Sequence, residues 1–462
     1  MVVQHNMQAA NANRMLNVTT SAQSKSTEKL SSGYRINRAA DDAAGLTISE
    51  KMRKQIRGLD QASTNAQDGV SSVQTAEGAL TEVHSMLQRM NELATQAANG
   101  TNSKDSDRQA IQDEIDQLTT EIDRVSETTK FNETYLLKGE AGTKTINMKA
   151  HDAGLKGTLT DNGDGTATFV MDSLKDGDSV SIGGKTYTIG SKKDDVVAAV
   201  GAKITAAGQK FTVNGQEITI VDNYADKDTE QKAGKYTVAD AKALVKDGAT
   251  VKLGTDEYKV MTDKDTNGID DTDASVISKD VAYGLASKEL LAANQIGDTK
   301  GSAKVADAGA KADGSFKITT GQAEVANSLS FSLHVGADAD MTNKIQVNID
   351  AMDSASLGIK GLNVKDASGN AATYAVDAIS DAISKVSSQR SSLGAVQNRL
   401  EHTINNLDNV VENTTTAESR IRDTDMAEEM VNYSKNNILA QAGQSMLAQA
   451  NQSNQGVLSL LQ

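Results

Sequence analysis

The sequence predicts an α+β multidomain protein. Its core is a long α-helical, coiled-coil-like rod formed by both chain ends, which carries a rod-associated β-hairpin and an inserted α+β domain of repeated hairpin-plus-helix units. Three observations predict this class. Residues 1–130 and 375–462 show helical periodicity with almost no turn signals. Residues 141–325 are rich in Gly, Asp and Thr and alternate apolar with polar positions. The 462 residues contain no proline, which suits long uninterrupted helices. A long helix cannot bury its apolar stripe alone, so helices at the two ends are expected to meet.

Composition narrows the function. The net charge of −15 removes the electrostatic case for nucleic acid. Aromatics are 3% and Trp is absent, which predicts a thin, elongated molecule that draws burial from neighbouring copies. With no cysteine there is neither a disulfide nor a thiol nucleophile. The start, MVVQHNMQAANANRML, lacks a basic stretch followed by an apolar run, so no secretory signal is expected. No stretch reaches the roughly 18 apolar residues of a membrane span, and membrane insertion is not expected.

From Thr47 to Ala98, Ile48, Met52, Ile56, Leu59, Ala62, Ala66, Val70, Val73, Ala76, Leu80, Val83, Leu87, Met90, Ala94 and Ala97 step by three or four, one stripe of a single helix. Gly58, Gly69 and Gly78 weaken it locally, and Asn99–Gly100 ends it. A second helix follows, with Ser103 as its expected N-cap and Ile111, Ile115, Leu118, Ile122 and Val125 as its seam; the short turn makes the two antiparallel. Ile379, Ile383, Val386, Leu393, Val396, Leu400, Ile404, Leu407 and Val411 give the third matching stripe.

The extreme ends carry a weaker seam. Leu16 and Leu30 at the front, and Met430, Tyr433, Leu447, Leu458 and Leu461 at the back, share it with interleaved Asn, Gln and Thr. Polar seam positions lower stability and set register. These segments are expected to order on self-association.

In the middle, Val180–Ile189, Phe211–Ile220 and Val251–Val260 each read as strand, two-residue turn, strand. A helix is expected after each, at Asp194–Ala207, Val238–Lys246 and Lys279–Asn294, giving a repeated hairpin-plus-helix unit. Residues 297–325 read as a loose return segment. Leu329–Val335 and Lys344–Ile349 then alternate as a further hairpin. Asp263 to Asp271 looks like the first nine positions of a calcium loop, but Ala274 stands where the twelfth-position carboxylate is needed, and a solvated acidic loop is the reading adopted. The run DNGDG at 161–165 reads as a turn. The five histidines are scattered, and no phosphate loop or nucleophile elbow appears, so neither an enzyme nor a cofactor is expected.

Both ends resemble bacterial flagellin. The matching stretches are LSSGYRINRAADDAAGLTIS (30–49), QDGVSSVQTAEGALTEVHSMLQRMNELATQA (67–97), EIDRVSETTKFN (121–132), SSLGAVQNRLEHTINNLDN (391–409) and the run from Thr416 to Gln462. The resemblance implies an inner core from 1–44 and 419–462, an outer-core rod from 45–140 and 326–418, and a surface-exposed variable insert at 141–325. It implies a structural subunit that self-assembles into the extracellular flagellar filament for motility, with an export chaperone, a cap and junction proteins as partners. A hook–filament junction protein of the same architecture is the alternative. LQRMNELATQA (87–97) is similar to the stretch recognised by vertebrate Toll-like receptor 5, which implies Arg89, Leu93 and Glu114 as contacts, with Leu93 as an exposed apolar anchor. Arg35, Arg38, Asp41 and Asp42 are expected at the hinge between inner core and rod, offering ion pairs across subunits.

Overall fold

A computed structural model describes residues 6–99, 105–306, 314–366 and 368–459. The chain divides into two compact units, one made of residues 1–72, 331–347 and 395–462, the other of residues 73–330 and 348–394. As expected, both chain ends are helical and the intervening region is strand-rich.

In the first unit, α1 (Met7–Ser32) begins where the Asn6 side chain accepts the Ala9 amide at 2.9 Å. It ends at Gly33, whose left-handed φ of 77° lets its amide reach the Lys29 carbonyl. α2 (Ala43–Ala98) starts under the Asp42 carboxylate, which accepts the Gly45 amide at 2.8 Å. Within this unit α2 lies against the C-terminal part of a 53-residue helix, Asn370–Arg422. Ser63 bonds Asp408, and Arg53 pairs with Glu418. Leu59, Ala62 and Leu407 form one cluster there, and Ala66, Val335, Ile345 and Leu400 another.

The second unit holds the helix that follows α2, the helices of the insert and most strands, while the last helix of the chain belongs to the first unit. The rest of α2 buries Val73, Ala76, Leu80, Val83, Leu87, Met90, Ala94 and Ala97 completely. α3 (Asp105–Thr128) turns Ile111, Ile115 and Ile122 inward. The expected Ser103 cap lies outside the described residues. A small ribbon follows, β1 (Lys130–Phe131) with β2 (Thr134–Tyr135). β3 (Glu140–Asn147) then enters the insert, and β4 (Gly157–Asp161) and β5 (Thr166–Met171) flank the DNGDG turn.

The three expected hairpins are present. They are β6 (Ser179–Ile182) with β7 (Lys185–Ser191), β8 (Lys210–Val213) with β9 (Gln216–Ile220), and β11 (Thr250–Leu253) with β12 (Asp256–Val260). Asn214 (φ 51°) and Gly215 (φ 81°) make the left-handed pair that a two-residue turn needs. Between and after the hairpins come α4 (Lys193–Lys203), α5 (Lys227–Lys232), β10 (Lys235–Tyr236), α6 (Val238–Ala243), β13 (Val276–Ile277) and α7 (Lys279–Asn294). One eight-stranded sheet takes in all three hairpins in the order β10-β9-β8-β11-β12-β7-β13, with β6 on β7. The β7–β12, β7–β13 and β9–β10 pairings are parallel.

One expectation fails. Residues 297–325 are not a loose return but supply β14 (Lys304–Ala306), β15 (Ser315–Thr319) and β16 (Gln322–Asn327). β15 is interior to the sheet β14-β15-β5-β4, and its Phe316 and Ile318 are fully buried. Phe316 meets Phe169 with ring centroids 6.3 Å apart. β17 (Leu329–His334) and β18 (Lys344–Ile349) form the last hairpin, as expected. α8 (Ser354–Leu357), α9 (Asn370–Arg422) and α10 (Met426–Ser459) complete the chain.

Two of the glycines in α2 now have a reason. A Cβ at Gly58 would fall 2.9 Å from the Ala337 Cβ, and one at Gly69 would overlap the Leu333 side chain. Both are bare so that the chain near 331–347 can lie on the helix. Gly78 faces open space. In urea unfolding, Gly78→Ala should therefore gain up to about 1 kcal/mol from helix propensity. Gly69→Ala should lose at least as much by overpacking; a gain at both positions would contradict the close approach.

Candidate self-assembly and recognition surfaces

The terminal helices α1 and α10 pair within the first unit. The Asn6 side chain donates to the Ala450 carbonyl at 3.1 Å, and Lys29 lies 3.8 Å from Glu429. Low numbers on α1 thus meet high numbers on α10, an antiparallel pair. A Cβ at Gly443 would sit 3.4 Å from Leu16 Cδ1, so Leu16 packs over bare backbone. Of the expected seam, Leu16, Leu30, Tyr433 and Leu447 are half-buried. Met430 is 53% exposed. Leu461 lies outside the described residues, as does the side chain of Leu458.

The pair leaves much apolar surface uncovered. Met7, Met15 and Val18 on α1 are exposed, and so are Met426, Met430, Val431, Ile438, Leu439 and Met446 on α10. Large apolar side chains exposed in this number on two paired helices are a candidate association surface. Among the described residues, no helix is long and apolar enough to cross a membrane.

The chain leaves this pair through two linkers that zip together. The Arg35 amide donates to the Arg422 carbonyl at 2.7 Å, the Thr424 amide donates to the Gly33 carbonyl at 2.9 Å, and Tyr34 bridges Asp423. The Tyr34 ring has the Arg422 guanidinium 5.0 Å from its centroid and that of Arg53 at 6.0 Å. Arg422 also donates to Glu50 at 2.7 Å. That bond, with the Arg422 charge, holds the Glu50 carboxyl below its ordinary pKa. Arg35, Arg38, Asp41 and Asp42 all have partners within the chain. Arg35 donates to the Ile421 and Arg420 carbonyls, Arg38 pairs with Glu28 at 2.9 Å, Asp41 accepts the Asn37 and Arg38 amides, and Asp42 caps α2.

The face bearing Arg89 and Glu114 lies in the second unit. Arg89 on α2 donates to Glu114 on α3 at 2.9 Å and pairs with Glu92 at 3.2 Å. Arg89 and Glu114 are both exposed, and each lies about nine positions from the facing helix ends, Ala98 and Asp105, as an antiparallel pair requires. Leu93 corrects the sequence reading: it is 2% exposed and belongs to the core, not to the surface. It follows Met90 by three positions and precedes Ala97 by four, which places it on the buried stripe.

The acidic loop at 263–271 turns its carboxylates onto its own backbone. Asp263 accepts the Asn267 and Gly268 amides, and Asp271 accepts that of Lys264. Burial would raise the pKa of Asp270, but donors from Thr272, Thr262 and Asp273 outweigh it and hold the group low.

The fold is an α+β chain whose two helical ends pair and leave large apolar side chains exposed. The models for the bacterial flagellin N-terminal and C-terminal helical regions match residues 3–142 and 376–461. The chain is 40% identical to a flagellin of Clostridium tyrobutyricum, covering 98% of this chain and 100% of that one. It is 37% identical to the flagellin of Bacillus subtilis over 100% of both chains, and 35% identical to flagellin D of Vibrio anguillarum over 99% of both. The chain belongs to the bacterial flagellin family. It is a structural subunit of the filament and not an enzyme, as expected from the sequence. A solved structure, FliC from Burkholderia pseudomallei, matches 72% of this chain at 19% identity with a TM-score of 0.28, too low to bear on the arrangement.

The pH dependence of the linker junction follows from Glu50. Its lowered pKa means its stabilising bond is present above the ordinary glutamate range and is lost as pH falls through the folded-state value. Acid titration of the intact chain, followed by hydrogen exchange at residues 33–36, should show opening below the usual carboxylate range. Glu50→Gln should remove that part of the titration; an unchanged profile would place the transition elsewhere.

Proposed function

We propose that the uncovered faces of α1 and α10 are the surfaces by which copies of this chain pack in the filament. The observation that carries this is the run of exposed Met, Val, Ile and Leu on both helices, in contrast to the fully buried α2 stripe of the second unit. One surface repeated along a screw axis propagates a fibre rather than closing a ring. Before export a chaperone covers the α10 face. Outside the cell the subunit adds beneath a cap, and the first copies seat on junction proteins. Deleting residues 7–32 or 426–459 should leave a soluble chain that forms no filaments under salt-induced polymerisation, seen by electron microscopy; fibres from either deletion would contradict the reading.

The second part of the proposal is recognition by Toll-like receptor 5 through the face bearing Arg89 and Glu114. The ion pair presents a forked donor and two carboxylates on adjacent helices, a charged pattern suited to a complementary partner. Leu93 acts from beneath, holding the α2 backbone in place, and makes no contact of its own. Arg89→Asp places three acids together and should weaken receptor binding by roughly ten- to a hundredfold in a direct binding assay. Unchanged affinity would rule out this face.

A further inference from the structure

Four Asn–Gly pairs occur in the chain, at 99, 162, 214 and 267. An asparagine followed by glycine can close a five-membered ring on the next backbone nitrogen, because glycine has no Cβ to obstruct the approach. Gly100 lies outside the described residues, and the other three pairs sit in very different surroundings.

At 267 the carboxamide is held at both ends: Nδ2 donates to Asp265 at 2.7 Å, and Oδ1 accepts the Ile269 amide at 2.7 Å. The Gly268 amide also donates to a carboxylate, Asp263 at 3.0 Å, so this site is set apart by its doubly held carboxamide. At 214 the carboxamide oxygen accepts the Thr250 amide of the neighbouring strand at 2.8 Å, and the Asn214 amide donates to the Thr250 carbonyl. Rotation of either side chain toward its glycine must first break a bond to the backbone.

Asn162 differs. It stands exposed in the β4–β5 turn, and among the described residues its Nδ2 donates to the threonine hydroxyls of Thr166 at 3.0 Å and Thr168 at 3.4 Å and to no backbone group. Those donors and acceptors exchange readily with water, and among the described residues nothing donates to Oδ1. Gly163 has a φ of 76° and open space around it. Its amide, the attacking group, already donates to the Asp161 carboxylate at 2.9 Å.

We propose that Asn162–Gly163 is a self-modifying site at which Asp161 takes the proton. The Gly163 nitrogen bonds to Asn162 Cγ as its N–H proton passes to the Asp161 carboxylate. The Cγ–Nδ2 bond then breaks, and that proton leaves with Nδ2 as ammonia. Water opens the resulting succinimide at either carbonyl, giving an aspartyl or an isoaspartyl residue. No oxidant or cofactor is needed. The product adds a carboxylate between Asp161 and Asp164, and in the isoaspartyl form it lengthens the backbone of a tight turn by one carbon.

Incubating the intact folded chain in ¹⁸O-water at mildly alkaline pH, followed by peptide mass spectrometry, tests this. Conversion at Asn162 should outpace that at Asn214 and Asn267 by about fivefold or more, the rate equivalent of one hydrogen bond that must break first. In concentrated urea the three sites should converge. Equal or faster conversion at Asn214 or Asn267 in the folded chain would overturn the proposal, and so would a preference that survives urea. Asp161→Asn should slow conversion at Asn162, and an unchanged rate would remove Asp161 from the reaction.

Discussion

The structure depends on one constraint: an amphipathic helix must have its apolar stripe covered, and in this chain the cover comes from residues hundreds of positions away. Ser63 meets Asp408 in one unit, and Glu77 meets Arg390 in the other. Each contact joins α2 to α9, and the partner numbers fall as those on α2 rise, which is the signature of an antiparallel pair. Such pairing closes long loops before it is rewarded. Neither chain end can complete its packing until the other has been made.

Much of this was legible before any coordinates. The α2 stripe from Leu59 to Ala97 needed only its spacing of three and four, and the three hairpins needed only their turn pairs. What escaped has physical reasons. β15 is five residues long and flanked by glycines, so Phe316 and Ile318 offered too little alternation to stand out, although they become core once β5 lies beside them. Leu93 was placed on the surface by resemblance, whereas its own spacing from Met90 and Ala97 put it inside. The close approach at Gly58 and Gly69 cannot be read from a sequence, because the atoms they make room for belong to residues 333 and 337. The Tyr34 junction is similarly invisible, since its arginines come from two distant helices.

The same chain therefore uses helices in two ways. The second-unit stretch of α2 spends its apolar residues internally and shows polar and charged groups outward, among them Arg89. α1 and α10 spend only some of theirs on each other, helped by bare backbone at Gly443, and keep methionines and branched aliphatics in reserve. Methionine is well suited to that use, because a flexible thioether side chain adapts to slightly different neighbours.

The β3–β16 pair has a consequence of its own. These antiparallel strands carry the chain out at Glu140–Asn147 and back at Gln322–Asn327, and the Met148 amide closes on the Gly321 carbonyl at 2.8 Å. Everything between begins and ends at one narrow neck. A foreign polypeptide whose termini lie about 5 Å apart can be spliced there without stretching the scaffold. It must also cover Tyr374, which packs in the core of this insert and donates to Glu289 at 2.5 Å, and replace the partners that Lys149 and His151 give Asp381. The neck thus makes the protein a scaffold for grafted polypeptides.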